Sequence, residues 1–385
     1  MMNRRKSRRL VCSFAVSILV VHAGAVGKDR TGVSGLPRLD CSVSGTSSAT
    51  STLLQYPSFF HVDSLKEIIQ KGIEMTFNDR FAKAESLYAA VSDAYPASPI
   101  GPLFAAATIH AQMLDSESPQ RHGDLLRWLN MSKERAERWR TEESRSGEPE
   151  FVLGAALGYQ AVYESRWGGW FAALKQGLRS KNRFAAALKK DSSLADAFLG
   201  IGNFNYWKSV STDFINWTGI IADDREEGLA QLRKAAAGGT LTRAPARVSL
   251  AWALINEGRN EEALAHGDTL ATEFPGGKGP LWIMALADFG LYRWEQSRNL
   301  YAELERRLLA EGPGNYFNLI DCAYFRALCD YCLGRWRETL DDCHRGLAYP
   351  APPDILERQK SKLKKLRDLQ REVKRKTASP ETGQD

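Results

Sequence analysis

GRNEEALAHGDTLATEFP (residues 258–275) decides the fold, because its pattern recurs in the chain. The pattern is an Arg, a small residue four positions later and, in most copies, a Pro at the end. The related stretches are DRFAKAESLYAAVSDAYP (79–96), YRWEQSRNLYAELERRL (292–308) and GRWRETLDDCHRGLAYP (334–350). Apolar residues recur within each stretch at intervals of three and four, which is typical of a helix with one buried face. The four stretches therefore predict one kind of helix that is used repeatedly.

Two columns of this pattern have a physical reason. The members of the small column are Ala84, Ala263, Ser297 and Thr339. A small side chain lets a second helix approach closely, and a large residue four positions later, such as Tyr88 or Tyr301, fills the space beside it. Gly72 lies twelve positions before Ala84, where a preceding helix would make the close approach. The columns thus predict pairs of packed helices.

Arg259 and Arg293 are 34 positions apart. This arrangement resembles the tetratricopeptide repeat, whose unit of about 34 residues is two antiparallel helices. The resemblance covers roughly residues 65–350. It implies an all-α fold, a right-handed superhelical solenoid of antiparallel helix pairs, with a concave groove that binds a protein or peptide partner. We expect the repeat domain to span residues 58–354, with an irregular insert at about 115–150, where the sequence fits no unit well.

The amino terminus has the pattern of an export signal. The basic start MMNRRKSRRL precedes the apolar run VCSFAVSILVV and the small residues Ala23, Gly24 and Ala25. This order is typical of a secretory signal peptide, and the run is shorter than the roughly 20 residues that span a bilayer. We therefore expect a signal peptide at residues 1–25, a flexible Gly/Ser/Thr-rich linker at 26–57, and export to a bacterial periplasm or cell envelope.

Positive charge is concentrated at the two ends of the chain. The net charge is +6, yet residues 1–25 hold five basic residues and no acidic one, and residues 355–376 hold ten basic and three acidic residues. The region between is acidic overall, which argues against nucleic-acid binding. We expect residues 355–385 to form a basic capping helix and a disordered tail, because a solenoid needs a polar terminal helix. A peripheral contact of this helix with an anionic membrane is the alternative.

The segment CDYCLGRWRETLDDCH (329–344) raises the question of thiol or metal chemistry. A disulfide between Cys329 and Cys332, one turn apart on a helix, would be strained. Cys343 and His344 are neighbours on a helix and point about 100° apart, so they do not converge with the other two on a zinc ion. The pattern favours buried thiols and no metal, and it leaves an oxidised Cys329–Cys332 pair open.

Large aromatic residues on the predicted first helices suggest a partner-binding groove. These residues are Tyr206, Trp252, Trp282, Phe289, Tyr324 and Tyr331. Aromatic side chains bury much area with few rotatable bonds, so a concave surface lined with them could hold a peptide. The alternative is that the rings fill contacts between neighbouring helices.

Enzyme motifs are missing from the sequence. It has no His-Glu-x-x-His, no phosphate-binding Gly-x-x-x-x-Gly-Lys-Ser/Thr and no Gly-x-Ser-x-Gly,. We therefore expect a binding scaffold without cofactor or catalysis. Two alternatives remain: a thiol-redox or metal-binding protein that uses Cys329 and Cys332, and a helical enzyme of another kind.

Overall fold

The computed structural model describes residues 56, 58–60, 62–213 and 222–378. These residues form sixteen helices and no strand. The helices are α1 (Asp63–Phe77), α2 (Phe81–Ala94), α3 (Ile100–Asp115), α4 (His122–Glu142), α5 (Glu148–Trp167), α6 (Trp170–Lys190), α7 (Ala197–Ser211), α8 (Arg225–Gly238), α9 (Arg243–Asn256), α10 (Asn260–Glu273), α11 (Gly279–Gly290), α12 (Trp294–Ala310), α13 (Tyr316–Cys332), α14 (Trp336–Ala348), α15 (Pro353–Arg358) and α16 (Lys360–Ala378).

The first fourteen helices form seven antiparallel pairs, α1/α2 to α13/α14, and each helix packs against the next. Odd-numbered helices also contact each other from pair to pair, from α1 with α3 through to α9 with α11. The odd helices therefore form an inner layer, and the even helices lie outside it. The predicted all-α solenoid of helix pairs is confirmed.

One tight turn joins the two helices in five of the pairs. In each, a residue with positive φ follows the first helix, and the next residue donates its N–H five positions back, at 2.8 to 3.1 Å. These residues are Asp79, Glu117, Gly258, Tyr292 and Gly334. The geometry is the Schellman motif, which satisfies the last carbonyl groups of a helix. In four of the five pairs the residue that donates this N–H is the Arg that recurs in the sequence: Arg80, Arg259, Arg293 or Arg335.

The region 115–150, expected to be irregular, contains the regular helix α4. It follows α3 through the same turn, in which Glu117 has φ 53° and Ser118 donates its N–H to the carbonyl of Met113 at 3.1 Å. Neither Gly nor Arg marks this turn, which explains why the sequence pattern did not reveal it. The α3/α4 pair is thus a full unit of the solenoid.

The small column brings helices into contact, as the sequence indicates. Ala84, Ser297 and Thr339 are fully buried, and Ser297 Oγ donates to the carbonyl of Ala285 at 2.9 Å. Tyr88 Oη crosses to α1 and donates to the carbonyl of Ile69 at 2.9 Å. A Cβ on Gly72 would lie 2.3 Å from the Tyr88 ring, so the glycine makes room for the tyrosine.

Helices α7 and α8 approach even more closely, at two glycines. A Cβ on Gly228 would lie 2.7 Å from the backbone N of Tyr206 and 2.9 Å from the carbonyl O of Gly202. Backbone atoms cannot move aside as a flexible side chain can. The crossing therefore requires glycine on both helices.

We expect Gly228→Val to lower the free energy of unfolding by about 1–3 kcal/mol, because the added side chain forces α7 and α8 apart. Urea denaturation followed by circular dichroism measures the loss. The control is Gly123→Val on α4, where a Cβ would meet no atom within 4 Å. Equal stability of the two variants would show that the crossing is looser than the structure has it.

The solenoid closes on itself, because the turns of its first pairs contact its later pairs. The α1–α2 turn meets the α10–α11 connection, where Asn78 Oδ1 accepts the N–H of Gly276 at 2.9 Å and the Phe77 and Phe274 rings lie 4.8 Å apart. Further along, Asn318 Nδ2 donates to the carbonyl of Asp115 at 2.7 Å. Residues about 200 positions apart therefore share one interface.

Lys278 lies fully buried at this closure. Its Nζ lies 3.5 Å from Asp79 Oδ2 and 3.7 Å from Asp115 Oδ1, and it also pairs with Glu311. Its backbone N–H donates to Asp79 Oδ2 at 3.0 Å. One ammonium group thus joins carboxylates from the turn after α1, from the last residue of α3 and from the end of α12. This group of four side chains is called the closure cluster below.

Both ends of the described chain cover the stack. Helix α16 buries Leu363, Leu366 and Val373 against α13 and α14, so it covers the last pair. At the other end Tyr56 stacks on Trp139, with ring centroids 5.5 Å apart. Packing therefore begins slightly before residue 58, where the domain was predicted to start. The predicted signal peptide, most of the linker and the last seven residues lie outside the described residues.

No helix in the described part of the chain is both long enough and apolar enough to span a bilayer.

Candidate ligand-binding cavity

An apolar cavity of about 450 Å³ lies on the inner side of the first four helix pairs. Its walls come from α1, α3, α5, α6 and α7, from Tyr88 of α2 and from the start of α9. Small-molecule sites usually measure about 300–1,000 Å³ and have mostly apolar walls. The cavity therefore has the size and lining of a ligand site.

Small residues on two helices line part of this space. Helix α5 contributes Ala155 and Gly158 to the wall, and α6 contributes Ala173 and Gly177. Residues three or four positions apart lie on one face of a helix, so each pair forms a continuous patch of small side chains. Protein interiors are otherwise packed nearly as densely as organic crystals. At Gly158 and Gly177 the missing side chains also make room for Ser180 and Phe204, since an added Cβ would lie 3.2 and 3.0 Å from them.

Aromatic rings form much of the remaining wall. Phe104, Tyr159, Phe204 and Trp207 contribute from α3, α5 and α7. Burial raises the pKa of Tyr159 to about 12, so its phenol stays neutral at physiological pH. These flat surfaces favour an apolar ligand, which gains from each ring it covers.

His110 is the most unusual polar residue of the wall. It is fully buried, its ring centroid lies 5.2 Å from that of Tyr159, and neither of its nitrogens has a hydrogen-bond partner among the described residues. Burial lowers the pKa of His110 to about 3. The imidazole is therefore neutral, with one nitrogen able to donate and the other able to accept a hydrogen bond.

Two further buried atoms of the wall have unused hydrogen-bonding capacity. Asn203 Nδ2 donates to Ser249 Oγ at 3.3 Å, while Asn203 Oδ1 and Thr242 Oγ1 have no partner in the part of the chain that the structure describes. Leaving a buried polar group without a partner costs about 1–3 kcal/mol. Both residues belong to the cavity wall, so a ligand that reached these atoms would relieve this cost.

The charged groups of the wall already have partners within the protein. Lys208 pairs with Asp224 at 2.5 Å. The Asp196 carboxylate accepts the backbone N–H groups of Thr240, Leu241 and Thr242 at 2.7 to 2.9 Å. Lys208 has its counter-charge and the carboxylate oxygens of Asp196 are occupied by backbone donors, so the cavity suits a neutral molecule.

The six aromatic residues predicted to form a partner groove lie elsewhere. Tyr206, Trp252, Trp282 and Tyr324 are each less than a tenth exposed. Tyr206 Oη, for example, donates to the carbonyl of Ala253 at 3.0 Å between helices. This arrangement matches the alternative in which the rings fill contacts between helices. As a partner-binding set the six residues remain a prediction, and a partner would first have to uncover these four.

The other two predicted groove residues are half-buried. Phe289 packs edge-on against Trp294 and Phe325, at 5.1 and 5.2 Å between centroids. Tyr331 is covered by α16: Lys376 Nζ donates to its hydroxyl at 2.6 Å, and the hydroxyl also bonds to Glu372. The capping helix therefore occupies part of the surface that the groove was expected to present.

The cysteines of the described chain are all free thiols. Cys322, Cys329 and Cys343 are buried and Cys332 is exposed. Burial raises the pKa of Cys329 to about 12, which keeps it protonated and unreactive, since the thiolate is the nucleophile. No group of three or more His, Cys, Asp or Glu side chains among the described residues is placed to hold a metal ion. An oxidised Cys329–Cys332 pair remains a prediction, and Cys41 lies outside the described residues.

Sequence reasoning missed the cavity and its polar residues. The available signal was the run of small residues on α5 and α6, but such residues also occur where helices pack closely. His110 and Asn203 gave no local signal, because each belongs to a helix that reads as part of an ordinary repeat.

Two solved structures show how far the likeness to known proteins extends. A tetratricopeptide repeat protein from Parabacteroides merdae is 13% identical, with 78% of this chain and 98% of that chain covered and a TM-score of 0.36. The tetratricopeptide repeat domain of P58(IPK) is 14% identical, with 82% and 99% covered and a TM-score of 0.28. No protein-family model matches the chain, and no curated protein matches it. The fold assignment rests on the helix pairs described above, and these two likenesses add nothing about function.

Proposed function

We propose that this chain is a helical-repeat binding scaffold whose inner cavity holds a neutral, largely apolar small molecule. The cavity itself carries this proposal, because it combines apolar walls with a few polar atoms that have no partner in the described protein. Such polar groups fix the orientation of a ligand, while the apolar walls supply most of the affinity. The ligand would carry a hydroxyl, carbonyl or amide group to meet His110 or Asn203.

Binding without catalysis agrees with the acid–base properties of the wall. A general acid or base works best when its pKa lies near the operating pH. Burial instead moves the pKa of His110 to about 3 and that of Tyr159 to about 12. Both side chains therefore act as neutral hydrogen-bonding groups.

A protein or peptide partner is the second candidate. Phe289 and Tyr331, the two rings of the predicted groove that stay half-buried, are the observation that favours it. Export to a bacterial periplasm or envelope is also part of the proposal. It is supported by the pattern of residues 1–25, which lie outside the described residues.

The cavity proposal predicts saturable binding of a neutral apolar probe. We expect N-phenyl-1-naphthylamine to bind with increased fluorescence, and Ala155→Phe to weaken this binding by about tenfold or more, because the added ring fills the cavity. The anionic probe 1-anilinonaphthalene-8-sulfonate should bind more weakly, since no unmatched cation faces it. Fluorescence titration measures both affinities.

Ala265→Phe, on the exposed side of α10 and away from the cavity, is the matched control. It adds the same ring and should leave probe affinity unchanged. Thermal unfolding of each variant verifies that the fold is intact. If folded Ala155→Phe binds the probe as tightly as the unaltered protein, the cavity is not the site.

A further inference from the structure

The N-terminal half of α6 exposes an unusual concentration of apolar surface. Trp170 is 42%, Phe171 81% and Leu178 48% exposed, and they are three of the six large hydrophobic residues that stand exposed in the described chain. The Trp170 and Phe171 rings touch edge-on, with centroids 4.8 Å apart. Clustered exposed apolar residues mark an interaction site far more often than scattered ones do.

The charge of the same helix identifies the kind of partner. Helix α6 carries six basic residues and no acidic one. Lys175 and Arg179 lie on the exposed face with Phe171 and Leu178, because positions 171, 175, 178 and 179 repeat at helical spacing,. Neither Lys175 nor Arg179 forms an ion pair with any residue that the structure describes. Arg179 instead donates a hydrogen bond to the neutral side chain of Gln176 at 3.1 Å.

Neighbouring helices leave this positive charge in place. Lys133 of α4 adds a second cation close to Arg179. Burial lowers the pKa of Lys133, and the nearby Arg179 charge lowers it further. Of the acidic residues nearby, Glu137 pairs with Arg140 at 2.6 Å, and Glu134 offsets part of the positive charge beside Lys133. A basic face with projecting aromatic and aliphatic side chains fits the headgroup region of an anionic bilayer.

We propose that the exposed face of α6, formed by Trp170, Phe171, Lys175, Leu178 and Arg179, docks on an anionic lipid membrane. Phe171 and Leu178 enter the headgroup boundary, and Lys175 and Arg179 contact the lipid phosphates. Trp170 also belongs to the cavity wall, so docking places the cavity next to the lipid. The proposal stands independently of what the cavity binds.

Helix α16, the basic helix first considered for membrane contact, offers a sharp comparison. Its apolar residues Leu363, Leu366, Leu369 and Val373 are buried within the protein, so only its charges face outward. If charge alone attracted the protein to lipid, α16 would contribute as much as α6. Substitutions on the two helices therefore distinguish a specific docking face from a general electrostatic attraction.

Sedimentation of the full chain with vesicles tests the proposal. We expect binding to vesicles of phosphatidylcholine with phosphatidylglycerol and little binding to phosphatidylcholine alone, with weaker binding at high salt. Lys175→Gln with Arg179→Gln should reduce partitioning by about 25-fold, since each basic residue contributes about fivefold at an anionic surface. Phe171→Ser with Leu178→Ser should reduce it by about tenfold or more.

Control variants carry changes of the same kind at other exposed positions. Lys364→Gln with Arg367→Gln on α16, and Leu309→Ser with Leu356→Ser, should each change partitioning less than twofold. Equal losses in the α16 variant, no preference for anionic vesicles, or unchanged binding of the α6 variants would overturn the proposal. A dimer in sedimentation velocity that Phe171→Ser abolishes would assign the face to a second copy instead. The Ala155→Phe variant should still bind vesicles, so this proposal and the cavity proposal fail separately.

Discussion

Replacing Lys278 with methionine is expected to lower the free energy of unfolding by about 3–5 kcal/mol, because removing one partner of a buried ion pair leaves uncompensated charge. The Lys278 side chain is fully buried with three carboxylates of the closure cluster around it. Methionine keeps the apolar length of the chain but not the ammonium group. Urea denaturation at neutral pH measures the loss. Lys360→Met, at a side chain that is 73% exposed, should change stability by no more than about 0.5 kcal/mol.

The effect of Lys278→Met should shrink as the pH falls from 8 to 5. Burial raises the pKa of Asp79 to about 7, although Lys278 opposes the shift, and burial raises that of Asp115 well above its usual value. A folded-state pKa above the unfolded value means that protonation stabilises the fold, and this stabilisation is lost as pH rises through about 7. Protonated carboxylates no longer need the ammonium group. A stability deficit that stays constant with pH would contradict this account of the cluster.

The repeat turns show what local sequence can and cannot predict. Gly258 and Gly334 mark turns in the sequence, because glycine tolerates positive φ. The Arg that follows each glycine shows where the next helix begins. Asp79, Tyr292 and Glu117 adopt the same conformation without glycine. The first two were still found through the neighbouring Arg. Glu117 is followed by Ser118, so nothing in the local pattern marked the α3/α4 pair.

The closure and the cavity depend on contacts that no local pattern contains. Lys278 lies in the segment GGKGP, which reads as an exposed loop, and it is buried only because the α1–α2 and α3–α4 turns cover it. The cavity likewise depends on the spacing of four inner helices. Small residues do not reveal it, because Gly158, for example, also packs against Ser180 of α6, where an added Cβ would lie 3.2 Å from Oγ. Periodicity predicts which face of a helix is buried, while the superhelix determines what lies opposite that face.

We expect Trp282→Ala to lower the free energy of unfolding by about 3–5 kcal/mol, the usual loss when a large buried aromatic side chain is removed. Trp282 is 2% exposed and packs edge-on against Tyr301, with ring centroids 5.8 Å apart. Tyr301 in turn stacks on Phe325 at 4.9 Å. The truncation would therefore open a cavity within the contact of α11, α12 and α13. Urea denaturation monitored by circular dichroism measures the effect.

Trp282→Phe separates packing from partner recognition. Phenylalanine retains most of the buried ring, so this variant should regain more than half of the stability lost in Trp282→Ala. Leu309→Ala, at a side chain that is 54% exposed, should leave stability within about 0.5 kcal/mol. If Trp282→Ala is as stable as the unaltered protein but loses a peptide partner, Trp282 belongs to an accessible groove. A large loss of stability instead means that Trp282 fills the interior, and a partner site must then be sought among residues that reach the surface.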